Sequence, residues 1–119
     1  MIDHIGLRTQ SMPALRAFYG AVLPVLGYPM TADYGEAIAF GEGMPLWISA
    51  SDAPTSSVHI AFKATSREAV QRFYETAIQH GARDNGAPGL RPDYHEHYYG
   101  AFVIDPDGNN IEAVYHGAE

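Results

Sequence analysis

Val58-His59-Ile60-Ala61-Phe62-Lys63 lies 55 residues downstream of Asp3-His4-Ile5-Gly6-Leu7-Arg8, counting from His4 to His59, and both stretches follow one pattern. Apolar residues alternate in each, Ile5 and Leu7 in the first and Val58, Ile60 and Phe62 in the second, which marks a strand greasy on one face with the histidine on the other. At the same offset Ser11 lies over Ser66, Ala14 over Ala69, Leu15 over Val70, and Phe18-Tyr19 over Phe73-Tyr74, while Gly27 and Gly81 are 54 apart. Self-similarity at a fixed spacing points to two copies of one supersecondary unit.

Each copy reads as a strand, a helix and three further strands. In the second copy Val70, Phe73, Tyr74, Ala77 and Ile78 recur at helical spacing, with Thr65 and Glu68 as a capping box and Gly81 as the terminator. The first helix starts near Ser11 with Pro13 in its first turn, buries Leu15, Phe18 and Val22, and is expected to stop around Pro24, shorter than its counterpart. Strand-like segments follow at 28–31, 37–40 and 46–50, and again at 82–85, 98–104 and 110–115. Asp105-Pro106-Asp107-Gly108-Asn109 is a hairpin turn, and 85–98 reads as irregular. The expectation is an α+β domain over 1–119, made of two tandem βαβββ modules, 1–54 and 55–119. The short joint from Asp52 to Ser57 keeps the two packed closely.

The composition limits what such a domain does. Lys and Arg number 7 against 14 Asp and Glu, a net charge of -7 with no basic stripe, so nucleic acid is excluded as a partner. No apolar run is long enough to span a bilayer, and Met1-Ile2-Asp3-His4 has no leader-like character, so the expected location is the cytoplasm, with no membrane partner. The absence of cysteine removes disulfides and thiolate chemistry, leaving nitrogen and oxygen to hold any metal.

Strand alternation then places the chemistry. If Ile5 and Leu7 pack under a helix, His4 projects from the opposite face, and His59 does the same in the second copy. In the last strand Ile111, Ala113 and Tyr115 take the helix side and Glu112 shares the histidines' side. Two imidazoles and a carboxylate form a facial set with open coordination positions, suited to Fe, Mn, Zn or Ni as a divalent metal cofactor. His95, Tyr98 and Tyr99 precede the strand beside Glu112 and are candidate catalytic proton carriers. Arg91 is a candidate fork for a substrate carboxylate or phosphate, with Trp47, Phe40, Phe102 and His97 as further pocket residues.

Plainer readings stand beside these. A lone strand histidine is usually hydrogen-bonded rather than ligating, His95-Glu96-His97 is a rival metal site, and Arg91 could serve only a surface ion pair. Asp105 and Asp107 are explained by the turn without calcium, and Gly86-Ala87-Pro88-Gly89 lacks the context of a phosphate loop.

Taken together, Asp3-His4-Ile5-Gly6-Leu7, Phe18-Tyr19, Val58-His59-Ile60-Ala61-Phe62 and, most diagnostically, 101–112 resemble the vicinal oxygen chelate superfamily over essentially the whole chain. That superfamily includes glyoxalase I, extradiol dioxygenases, methylmalonyl-CoA epimerase, and fosfomycin and bleomycin resistance proteins. The resemblance implies an incomplete barrel around a metal, with His4, His59 and Glu112 on three ligand positions, and a homodimer. Trp47 stands where glyoxalase I carries a second carboxylate, which moves weight from that enzyme toward a three-ligand site. The implied function is a lyase, isomerase or dioxygenase acting on a small molecule that chelates through vicinal oxygens. The alternative is a metal-independent protein that sequesters a drug or metabolite, as in bleomycin resistance.

Overall fold

A computed structural model describes residues 1–54 and 57–118, in the order β1 (Ile5–Thr9), α1 (Met12–Val25), β2 (Met30–Asp33), β3 (Ala37–Phe40), β4 (Leu46–Ala50), β5 (His59–Lys63), α2 (Arg67–Gln79), β6 (Arg83–Leu90), β7 (Tyr99–Ile104) and β8 (Asn110–Tyr115). This is βαβββ twice. Each copy makes its own four-stranded sheet, β1-β4-β3-β2 and β5-β8-β7-β6, in which the first and last strands of the module pair in parallel and the rest are antiparallel. The junction expected at 54 and 55 falls on Thr55, outside the described residues.

The helices end alike because their sequences do. Gly27 and Gly81 both adopt a positive φ, and the amides of Tyr28 and Ala82 reach back to the carbonyls of Leu23 and Ala77, the Schellman arrangement. Gly27, and not Pro24, therefore ends α1. Pro24 sits in the last turn, and α1 has 14 residues against 13 in α2, so it is not the shorter helix. At the start of α2 the cap is Ser66, whose hydroxyl accepts from the amide of Ala69, so the expected box from Thr65 is replaced by a cap one residue later.

Leu15, Phe18, Tyr19, Val22 and Leu23 of α1 and Ala69, Val70, Phe73 and Ala77 of α2 are buried against the inner sheet faces. Two expected core positions differ: Ile5 and Ile78 are exposed, while Leu7 and Thr9 carry the buried side of β1. β6 is twice as long as expected, because Gly86 and Pro88 lie at register shifts of an edge strand, where a missing donor and an extra residue are tolerated.

The modules join on their helical side. α1 packs against α2, and the buried Tyr19 hydroxyl donates to Asp105 in the β7–β8 turn at 2.5 Å. Burial first, and the Asp105 charge second, hold the Tyr19 phenol well above its ordinary pKa. Tyr28 adds a hydrogen bond to the Lys63 carbonyl at 2.6 Å. The molecule is long for its size, 42 × 27 × 26 Å. No helix is long and apolar enough to cross a membrane.

Candidate active site

On the outer face of the second sheet the register sets Ala61, Glu112 and Phe102 side by side across β5, β8 and β7. Glu112 is only 1% exposed, so its carboxylate depends on neighbours for solvation. Oε2 accepts from the Tyr98 hydroxyl, and Oε1 lies 3.1 Å from Nε2 of His59. Phe102 stacks on His59 at 6.1 Å and 18°.

The orientation of His59 has a chemical consequence. Nδ1 lies 3.0 Å from the carbonyl of Asn110, and a carbonyl only accepts, so Nδ1 carries the proton. A neutral ring then turns the lone pair of Nε2 toward a carboxylate oxygen. Two acceptors at this separation repel unless something positive lies between them, a proton or a metal ion. His4 is similarly set, with Nδ1 against Asp3 at 2.7 Å and Nε2 left free.

Of the expected ligands, His59 and Glu112 therefore meet. His4 belongs to the other sheet, and among the described residues of one chain no three metal-ligating side chains are grouped. Tyr98 is in the site as expected. Burial, then its bond to Glu112, raises its pKa far above the usual range, so at neutral pH it is a donor and not a base. Tyr99, next along, points to the helix side and accepts from Gln71 of α2, so alternation removes it from the site. His95 contacts Tyr98 edge to face and is hydrogen-bonded to His116 at 2.8 Å, at the rim. His97 is half-buried beside Glu96 and touches neither Glu112 nor His59 among the contacts of the described residues. Among the described residues no third metal-ligating side chain groups with His95 and His97, so the rival metal site is not assembled there.

Arg91 lies over Phe102 at 5.4 Å, its two Nη atoms donating to the carbonyls of Ala87 and Gly89, each at 2.8 Å. Trp47 is on the outer face of the first sheet, stacked nearly parallel with Tyr34 at 6.3 Å. Phe40, expected beside it, points the other way: it is buried and lines an apolar cavity of about 250 Å³ between the modules, with Leu23, Tyr28 and Phe62. Sequence reasoning missed Tyr34, which has no pattern linking it to Trp47. It also missed three glycines that make room for the site. A Cβ on Gly100 would lie 3.2 Å from the Tyr98 ring and 3.4 Å from Glu112 Oε2, and Gly86 and Gly89 stand as close to Arg91.

The model of the Glyoxalase/Bleomycin resistance protein/Dioxygenase superfamily matches residues 1–113. The chain belongs to this superfamily. Among solved structures of the superfamily, a glyoxalase/bleomycin resistance protein from Albidiferax ferrireducens T118 is 25% identical, with TM-score 0.84 over 95% of this chain and 97% of that one. A glyoxalase/bleomycin resistance protein/dioxygenase family enzyme from Burkholderia phytofirmans PsJN is 20% identical, with TM-score 0.75 over 98% of each chain. A glyoxalase-related enzyme from Fulvimarina pelagi is also 20% identical, with TM-score 0.75 over 97% and 87%. The last two are similar in fold. No curated protein is similar enough to this superfamily member to count as a match.

Proposed function

We propose that this protein is a metal-dependent enzyme, a lyase, isomerase or dioxygenase, whose small substrate presents two neighbouring oxygens, and that its working form is a homodimer. The observation that carries this is Nε2 of His59 held 3.1 Å from a buried carboxylate oxygen, with Nδ1 committed to a carbonyl. That is the donor set and outer hydrogen bond of a metal-binding histidine. His59 and Glu112 would hold the ion, with His4 of a second copy as third ligand. A divalent ion there supplies a positive charge on which an oxygen anion is stabilised. The chain's own residues do the rest. Tyr98 keeps its proton and orients Glu112, and Phe102 provides a flat apolar wall beside His59.

A second reading rests on the first sheet, where Tyr34 is 73% exposed yet stacked on Trp47. Such a platform suits a flat drug or metabolite and would serve sequestration without a metal. One experiment separates the two. Protein expressed and purified without chelator should carry about one Fe, Mn, Zn or Ni ion per chain by elemental analysis, and Glu112→Ala and His59→Ala should carry almost none. Full metal content in Glu112→Ala, or a wild-type protein with none after incubation with all four ions, would overturn the metal reading and leave sequestration.

A further inference from the structure

We propose that Arg91 binds a carboxylate of the substrate, so that the molecule handled at His59 and Glu112 is an organic acid with an anionic group distinct from its chelating oxygens. The inference rests on the site reading above and adds the substrate's charge.

Arg91 is a cation left without a counter-charge. Both Nη atoms donate to neutral carbonyls, and among the described residues no Asp or Glu oxygen lies within 4 Å of its guanidinium. Two of its five donors are thereby used, and the planar fork is held still.

The guanidinium also fills the space that side chains at Gly86 and Gly89 would occupy. A Cβ on Gly86 would come 3.1 Å from one Nη, and one on Gly89 3.2 Å from the other. Gly86 also has φ of +146°, a conformation other residues rarely adopt, so the bulge of β6 and the seat of the guanidinium are one feature.

The position relates it to the chemistry. Phe102 is contacted by Arg91 at 5.4 Å and by His59 at 6.1 Å, so the guanidinium and the proposed metal ligand are one aromatic ring apart. A single guanidinium beside an ionisable carboxylate favours a singly charged oxyanion over a phosphate dianion, which needs more than one cation and would be repelled by Glu112.

The test uses the whole protein, nitrogen-15 labelled, and three probes: propionate, its neutral amide propionamide, and methyl phosphate. Propionate should shift the Arg91 Nε–Hε signal and the Gly86 and Gly89 amides saturably, at least about tenfold more tightly than propionamide or methyl phosphate, as expected for one charge-assisted fork. Arg91→Gln should lose that preference and Arg91→Lys keep part of it. Equal responses to propionate and propionamide in the wild type, a comparison needing no variant, overturn the proposal. So does an unchanged propionate response in Arg91→Gln, and tighter binding of methyl phosphate overturns the choice of carboxylate. Glu112→Gln separates the two readings: it removes the metal ligand but should leave the propionate shifts at Arg91 in place.

Discussion

Tyr98 occupies the site because of where its neighbour does not. Along β7 and the residue before it, Tyr98, Gly100 and Phe102 share one parity and Tyr99 and Ala101 the other, so one of two adjacent tyrosines is delivered to Glu112 and the other to α2. Gly100 leaves room for the phenol to lie flat across the strand, since a side chain there would press on both the ring and the carboxylate. The hydroxyl is the donor that solvates a carboxylate 1% exposed. Tyr98→Phe should therefore leave Glu112 Oε2 buried without a donor and cost about 1–3 kcal/mol at neutral pH. The measurement is a urea titration, with a lower midpoint and an unchanged slope. An unshifted midpoint would mean that the hydrogen bond contributes nothing to the folded site.

Between elements, the aromatic platform depends on a salt bridge on the far side of its loop. Arg16 of α1 reaches Asp33 at the end of β2 with two hydrogen bonds, 2.7 and 3.1 Å, and the Gly35 carbonyl with a third at 2.8 Å, which brackets Tyr34. The Arg16 hydrogen bond, followed by the Gly35 amide, lowers the Asp33 carboxyl to about 2. A lowered carboxyl pKa stabilises the folded loop above the ordinary value near 4, and that help is lost as pH falls from about 4 to about 2. Trp47 is the only tryptophan, so its fluorescence reads this loop alone. Its emission should hold steady down to about pH 4 and change toward pH 2, whereas Arg16→Ala should show the released emission already at pH 7 with Tm nearly unchanged. Wild-type emission in Arg16→Ala would detach the platform from the salt bridge. Much at this scale was legible in the sequence: the end of α2 through Gly81, β3, β4 and β8 within their bounds, and the phase of His59 against Glu112, whereas α1 runs past the expected stop at Pro24 to Gly27. What was not legible depends on three-dimensional neighbours. β6 looked like loop because Gly86, Pro88 and Gly89 break strands in general but not on an edge, and Tyr34 meets Trp47 from a loop that Arg16 ties back, a contact with no local pattern in the sequence.

For the whole molecule, the decisive feature is which sides of the modules meet. Joined through α1, α2 and the Tyr19–Asp105 bond, the two sheets leave the β1 and β5 edges unpaired, with His4 on one sheet and His59 and Glu112 on the other. Exposed strand edges favour association, and the proposed two-fold dimer would set the first module of one copy against the second module of the other. Each pocket would then draw His4 from one chain and His59 with Glu112 from its partner. That arrangement predicts complementation. Homodimers of His4→Ala and of Glu112→Ala should each be deficient in metal, since every site lacks a ligand. A heterodimer of the two, carrying different tags and purified through both, combines both defects in one pocket and leaves the other intact. It should regain about one ion per dimer, half the wild-type content. If instead each pocket is built within a single chain, the heterodimer holds two damaged sites and binds no more metal than its parents, so the same elemental analysis decides whether this fold works as one chain or two.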